Sequence, residues 1–153
     1  MHRIPASLVV TALLVFTPTA AANTLTVAKV HDGGTVEFEG GFTVHILGFL
    51  VPSPETVVGR KAFDHVKRQL EGKVVKVFTW TTDNTAAGIV YGDDELAFAK
   101  IMCGEGLATD IAAELLECGF AQVDSDHLPE GCLHYRTIET RAREDNVGIW
   151  VRD

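Results

Sequence analysis

The stretch from Thr35 to Leu47 constrains this chain more than any other. Thr35-Val36-Glu37-Phe38-Glu39 alternates polar and apolar at every step, with Val36 and Phe38 on one face. That is the period of a half-buried strand. Gly40-Gly41 follows as a hairpin turn, and Phe42-Thr43-Val44-His45-Ile46-Leu47 continues as the returning strand. Ahead of them, Leu25 to Val30 is a short apolar run rich in β-branched residues. The turn His31-Asp32-Gly33-Gly34 separates it from the alternating segment. The three pieces predict a β-meander.

Pro52-Ser53-Pro54 stops the meander, and Thr56 to Glu71 reads as a helix. Val58, Ala62, Val66 and Leu70 fall four apart on one face, joined by Phe63, and Gly72 supplies the stop. Lys73 to Trp80 reads as a strand, and Ile89 to Met102 as one or two more around Gly92-Asp93-Asp94. Thr109 or Asp110 can cap a second helix that carries Ile111, Leu115 and Leu116 and closes at Gly119. Tyr135, Ile138 and Ala142 mark a third helix ending near Gly148, with Trp150 expected to pack back on the core. No repeat or linker interrupts this order. The expected architecture is α+β, mainly β: a five-stranded OB-type barrel with three helices.

The N-terminus reads differently from the rest. One positive charge at Arg3, the apolar run Leu8 to Phe16 and the small-residue end Ala20-Ala21-Ala22 have the form of a cleavable signal peptide. The expected division is a leader at 1–22 and one domain at 23–153. The protein would then be secreted or periplasmic, with no membrane attachment in its mature form. In an oxidising compartment, the three cysteines predict one disulfide and one free thiol. Spacing does not choose the pair among Cys103, Cys118 and Cys132, and it lacks the C-x-x-C form of a zinc site.

Charge bears on function. Acidic residues outnumber Lys and Arg 21 to 13, giving a net charge of −8 among 153 residues. Binding to a phosphate backbone through a general basic surface is therefore disfavoured. The most basic stretch runs from Arg60 to Lys76 and includes Lys61, Lys67, Arg68 and Lys73. It reads as the polar side of an amphipathic helix and its exit. His31 beside Asp32 reads as a turn residue.

Several segments, in order, resemble the staphylococcal-nuclease-like (thermonuclease) family. Val30-His31-Asp32-Gly33-Gly34-Thr35-Val36 is similar to its V-x-D-G-D-T-V opening, and Val44-His45-Ile46-Leu47-Gly48-Phe49 to its V-R-L-L-G-I strand. Pro54-Glu55 and Gly59-Arg60-Lys61-Ala62 resemble its P-E and G-x-x-A elements, and Leu96-Ala97-Phe98 its L-A-Y strand. Leu115-Leu116-Glu117-Cys118-Gly119-Phe120-Ala121 resembles L-V-x-x-G-L-A. Tyr135, Glu139, Ala142-Arg143 and Gly148-Ile149-Trp150 resemble the closing Y, E, A-R and G-I-W. The resemblance spans about residues 25 to 151 and implies an OB barrel with three helices.

The resemblance also implies calcium-dependent hydrolysis of DNA and RNA. In such chemistry carboxylates hold a hard cation, a Glu activates water, and two Arg clamp the phosphate. This chain departs from that set at most points. Gly34 replaces a metal carboxylate, and Leu50 stands where a second would be. His45 and Asp93 occupy the two Arg positions. Glu55 matches the catalytic Glu only if the segment 50–55 carries a two-residue insertion; without a gap the position holds Ser53. The expected function is therefore a non-catalytic binding protein without a cofactor, whose partner is an unknown protein or small ligand. The alternative is a calcium-dependent endonuclease acting on nucleic acid through a remodelled site. Its candidate catalytic residues are Glu55 and His45. Its candidate metal ligands are Asp32 and Asp93, the latter in the acidic run Asp93-Asp94-Glu95.

Overall fold

The computed structural model describes residues 22–80, 97–126, 128 and 130–152. The expected meander is present. Strand β1 (Ala22–Val30) pairs antiparallel with β2 (Thr35–Phe38), which pairs antiparallel with β3 (Thr43–Ile46). β1 begins at Ala22, the last residue of the expected leader. Gly40 and Gly41 make the β2–β3 turn with φ of 106° and 85°, and the Gly41 N–H donates to the Phe38 carbonyl. Side chains other than glycine rarely adopt such angles, so the glycine pair determines where β2 turns back. Val36, Phe38, Val44 and Ile46 point into the core, as the alternation requires.

After the short strand β4 (Phe49–Leu50), helix α1 runs over Val57–Leu70. Thr56 caps it by accepting from the Gly59 N–H, and Ala62, Val66 and Leu70 are its buried stripe. Strands β5 (Val74–Trp80) and β6 (Ala97–Cys103) pair antiparallel. The expected turn around Gly92 lies outside the described residues. Chain reversal after Cys103 uses Gly104 (φ 76°) and a 3-10 turn at Glu105–Leu107, then adds a two-residue strand β7 (Thr109–Asp110) beside β6. Asp110 then caps helix α2 (Ile111–Glu117), accepting from the Ala112 and Ala113 N–H groups. β8 (Gln122–Val123) pairs with β4, and a 3-10 turn at Glu130–Cys132 precedes helix α3 (His134–Glu144).

The architecture is α+β, with three α-helices and a mostly antiparallel sheet of six strands among the described residues. The sheet order is β3-β2-β1-β5-β6-β7, and β3 also pairs in parallel with β6. The expected count of five strands is thus corrected to six, with β4–β8 as a separate two-stranded pair. The added strands are two residues long and lie in chain reversals, too short to show an alternating pattern. One core fills the fold, with Phe38, Leu70, Ile101, Leu115 and Tyr135 among its fully buried side chains.

Trp150 is not a core residue. It is partly buried in a 3-10 turn at Gly148–Trp150, under the Arg143 guanidinium at 4.1 Å from the ring centroid. The clasp at this point is made by backbone, the Ile149 N–H donating to the Gly119 carbonyl at 2.8 Å. A Cβ on Gly119 would collide with the Val147 carbonyl, which explains a glycine there.

Candidate functional site

The turn after β1, the β2–β3 pair and the segment 49–54 enclose an open cavity of about 490 Å³. Its polar lining includes Asp32, Thr35, His45, Ser53 and Asp124, and its apolar walls include Phe49 and Phe98. Asp32 is held by its own turn: Oδ1 accepts from the Gly34 N–H at 2.7 Å, a side-chain mimic of a backbone turn. Thr35 and His45 are directly opposed across β2 and β3, and Thr35 Oγ1 lies 3.0 Å from His45 Nδ1 in a hydrogen bond. The His45 ring rests near Phe98, its partner in the parallel β3–β6 pairing, with centroids 5.9 Å apart.

The cavity wall at 52–53 is fixed by close packing. A Cβ on Gly59, in the first turn of α1, would overlap the carbonyls of Ser53 and Pro52. Only a glycine lets the helix backbone approach this segment so nearly. Gly34 is different. A Cβ there would meet Asp32 Oδ1, Phe49 and Val51 at 3.7 Å each, ordinary contact distances. The fold therefore leaves room for a larger residue where the chain has no carboxylate.

The candidate residues separate into three groups. Asp32 and His45 share the cavity. Glu55 does not line it; its side chain is exposed, and its N–H donates to Ser53 Oγ at 3.3 Å. Ser53 and Leu50 occupy the lining instead. Asp93 lies outside the described residues. Asp124 is the functional candidate that sequence reasoning missed. It falls in a polar stretch that reads as a solvated loop, yet it is buried at 9 % exposure, and its Oδ1 accepts from the Asp126 N–H at 3.1 Å. The Asp124-Ser125-Asp126 pattern of an aspartate turn was the available signal.

No Lys or Arg lines the cavity among the described residues. The segment 81–96 contains none in its sequence either, while it holds Asp83, Asp93, Asp94 and Glu95. No group of three His, Cys, Asp or Glu side chains able to hold a metal occurs among the described residues. The site has two carboxylates and one imidazole, a poor environment for a phosphodiester and a suitable one for hydrogen-bond donors. Three basic residues of α1 and its exit have partners of their own. Lys67 pairs with Glu71 at 3.5 Å, Arg68 contacts His65 Nδ1 at 3.2 Å, and Lys73 Nζ donates to the Arg68 carbonyl.

All three cysteines are free thiols, which corrects the expected disulfide. They sit on different elements: Cys103 ends β6, Cys118 caps α2 and Cys132 closes a 3-10 turn. Burial pushes the Cys103 thiol up to about 11 and raises those of Cys118 and Cys132. Thiols held protonated in this way are poor nucleophiles and poor metal ligands. Comparison with known proteins gives no family model and no curated protein that matches the chain.

Proposed function

We propose that this protein is a thermonuclease-like domain of OB type that binds a small ligand in the His45 cavity and does not hydrolyse phosphodiesters. The barrel reading is supported by the pairing pattern. β1 joins β2, β2 joins β3, β3 joins β6, β6 joins β5, and β5 joins β1, so these five strands can be traced around a closed ring. Its family reading rests on the motif order from Val30 to Trp150. The leader-like N-terminus adds export to a secreted or periplasmic location, and no described helix is long and apolar enough to cross a membrane.

A single observation carries the functional reading: the His45 cavity is walled by Asp32 and Asp124 and contains no guanidinium or ammonium among the described residues. Loss of one transition-state donor in such a site costs about 100- to 1,000-fold in rate. Here both Arg positions are changed and Glu55 is not among the residues that line the cavity. The ligand that fits is neutral or cationic, with donors for the two carboxylates and an apolar part for Phe49 and Phe98.

Incubation of the purified protein with denatured DNA, with calcium against a chelator, tests this reading. No calcium-dependent cleavage is expected. Cleavage that disappears in Glu55→Gln would overturn the proposal. The double variant Gly34→Asp, His45→Arg has room for its new carboxylate and is expected to recover weak activity at most, because Leu50 and the displaced Glu55 remain.

A further inference from the structure

The outer face of β6 continues beyond the His45 cavity. Ala99, Ile101 and Cys103 are buried, so Phe98, Lys100 and Met102 share the other face. Phe98 lines the cavity. Lys100 and Met102 line a second, separate cleft of about 360 Å³ with Lys76, Phe78, Leu107 and Cys132. No lining residue is common to the two.

This cleft has the opposite charge. Across β5 and β6, Lys76 faces Met102 and Phe78 faces Lys100, so ammonium groups and apolar side chains alternate over the surface. Lys100 Nζ is fixed 2.8 Å from Asp110 Oδ2 and 5.8 Å above the Tyr135 ring. Lys76 Nζ lies 5.3 Å from the Phe78 ring centroid and has no carboxylate partner among the described residues. Leu107 supplies the far wall with φ of 53°, an angle that leucine rarely adopts. Strain of that kind concentrates at binding surfaces. The cleft volume falls within the range of small-molecule pockets. The acidic surface elsewhere does not prevent anion binding here, since repulsion is screened beyond about 8 Å at physiological salt.

We propose that this cleft binds a small organic anion. An aryl or acyl body lies on Phe78, Met102 and Leu107, and a carboxylate or sulfonate head pairs with Lys76.

Fluorescence titration of the folded protein with 8-anilinonaphthalene-1-sulfonate tests this, with cooperative urea unfolding confirming that each variant is native. Saturable one-to-one binding is expected. Lys76→Gln should weaken it roughly tenfold, as loss of a charge-assisted contact does, and Lys76→Arg should restore most of it. The uncharged N-phenyl-1-naphthylamine should bind far more weakly, and His45→Ala should leave the titration unchanged. Displacement of the probe by octanoate would identify an acyl body. Probe binding that depends on Lys76 but resists octanoate would identify an aryl one. The proposal is overturned by the absence of saturable binding, by equal affinity for the uncharged probe, by an unaltered Lys76→Gln titration, or by an equal loss in His45→Ala.

Discussion

The two ends of the β6 outer face keep their polar groups in different ways. At the His45 end two polar side chains are satisfied locally: Asp32 by the backbone two residues on, and His45 by Thr35 on the adjacent strand. At the Lys76 end the polar groups join distant parts of the chain. Asp110 pairs with Lys100 of β6, accepts from the Tyr135 hydroxyl of α3 at 2.7 Å and caps α2. Burial, with the Asp110 charge beside it, strongly raises the Tyr135 phenol, so this hydroxyl remains a donor at any ordinary pH. Locally satisfied groups can be exchanged at small cost to the fold. Groups that connect three elements cannot. The difference gives a physical reason why polar residues at the His45 end can be exchanged while the scaffold persists.

The largest expected effect is therefore at Asp110. Asp110→Ala removes the partner of a mostly buried ammonium, a hydroxyl acceptor and a helix cap together, and should destabilise the protein by roughly 3–5 kcal/mol in urea unfolding. Gly59→Ala comes next. It tests whether the His45 cavity is held by backbone packing, and forcing a Cβ between α1 and the 52–53 carbonyls should cost about 2–3 kcal/mol. Asp32→Ala should cost the least, about 1 kcal/mol for one local hydrogen bond. Equal losses for Asp32→Ala and Asp110→Ala in the same denaturation series would remove the distinction between the two ends.

Much of the framework was legible because it rests on local rules. The Thr35–Glu39 alternation, the Gly40-Gly41 turn and the α1 stripe each appear in the sequence where the structure has them. β4, β7 and β8 were not legible, since two residues cannot establish a period and their pairing is set by chain reversals elsewhere. The site was only half legible. Asp32 and His45 were candidates through the motif resemblance, and the turn and strand pattern put them where the structure has them. The position of Glu55 depends on how the Pro52-Ser53-Pro54 segment packs against Gly59, and the burial of Asp124 depends on a β4–β8 pairing that no local pattern announces. The cysteine expectation failed for a related reason. Compartment chemistry favours a disulfide, but bonding requires two thiols in a specific geometry that spacing along the chain does not reveal, and all three cysteines are free.

The parallel pairing of β3 with β6 has a kinetic consequence. Val44 meets Ala97 and Ile46 meets Ala99 only after α1, β5 and the 81–96 segment have been traversed. Contacts so far apart in sequence form late, because the closure entropy of the intervening chain must be overcome first. Until then β3 and β6 are open sheet edges able to recruit another chain. A seam that joins late is thus a place where this protein is exposed to misassembly, and this one carries His45 and Phe98.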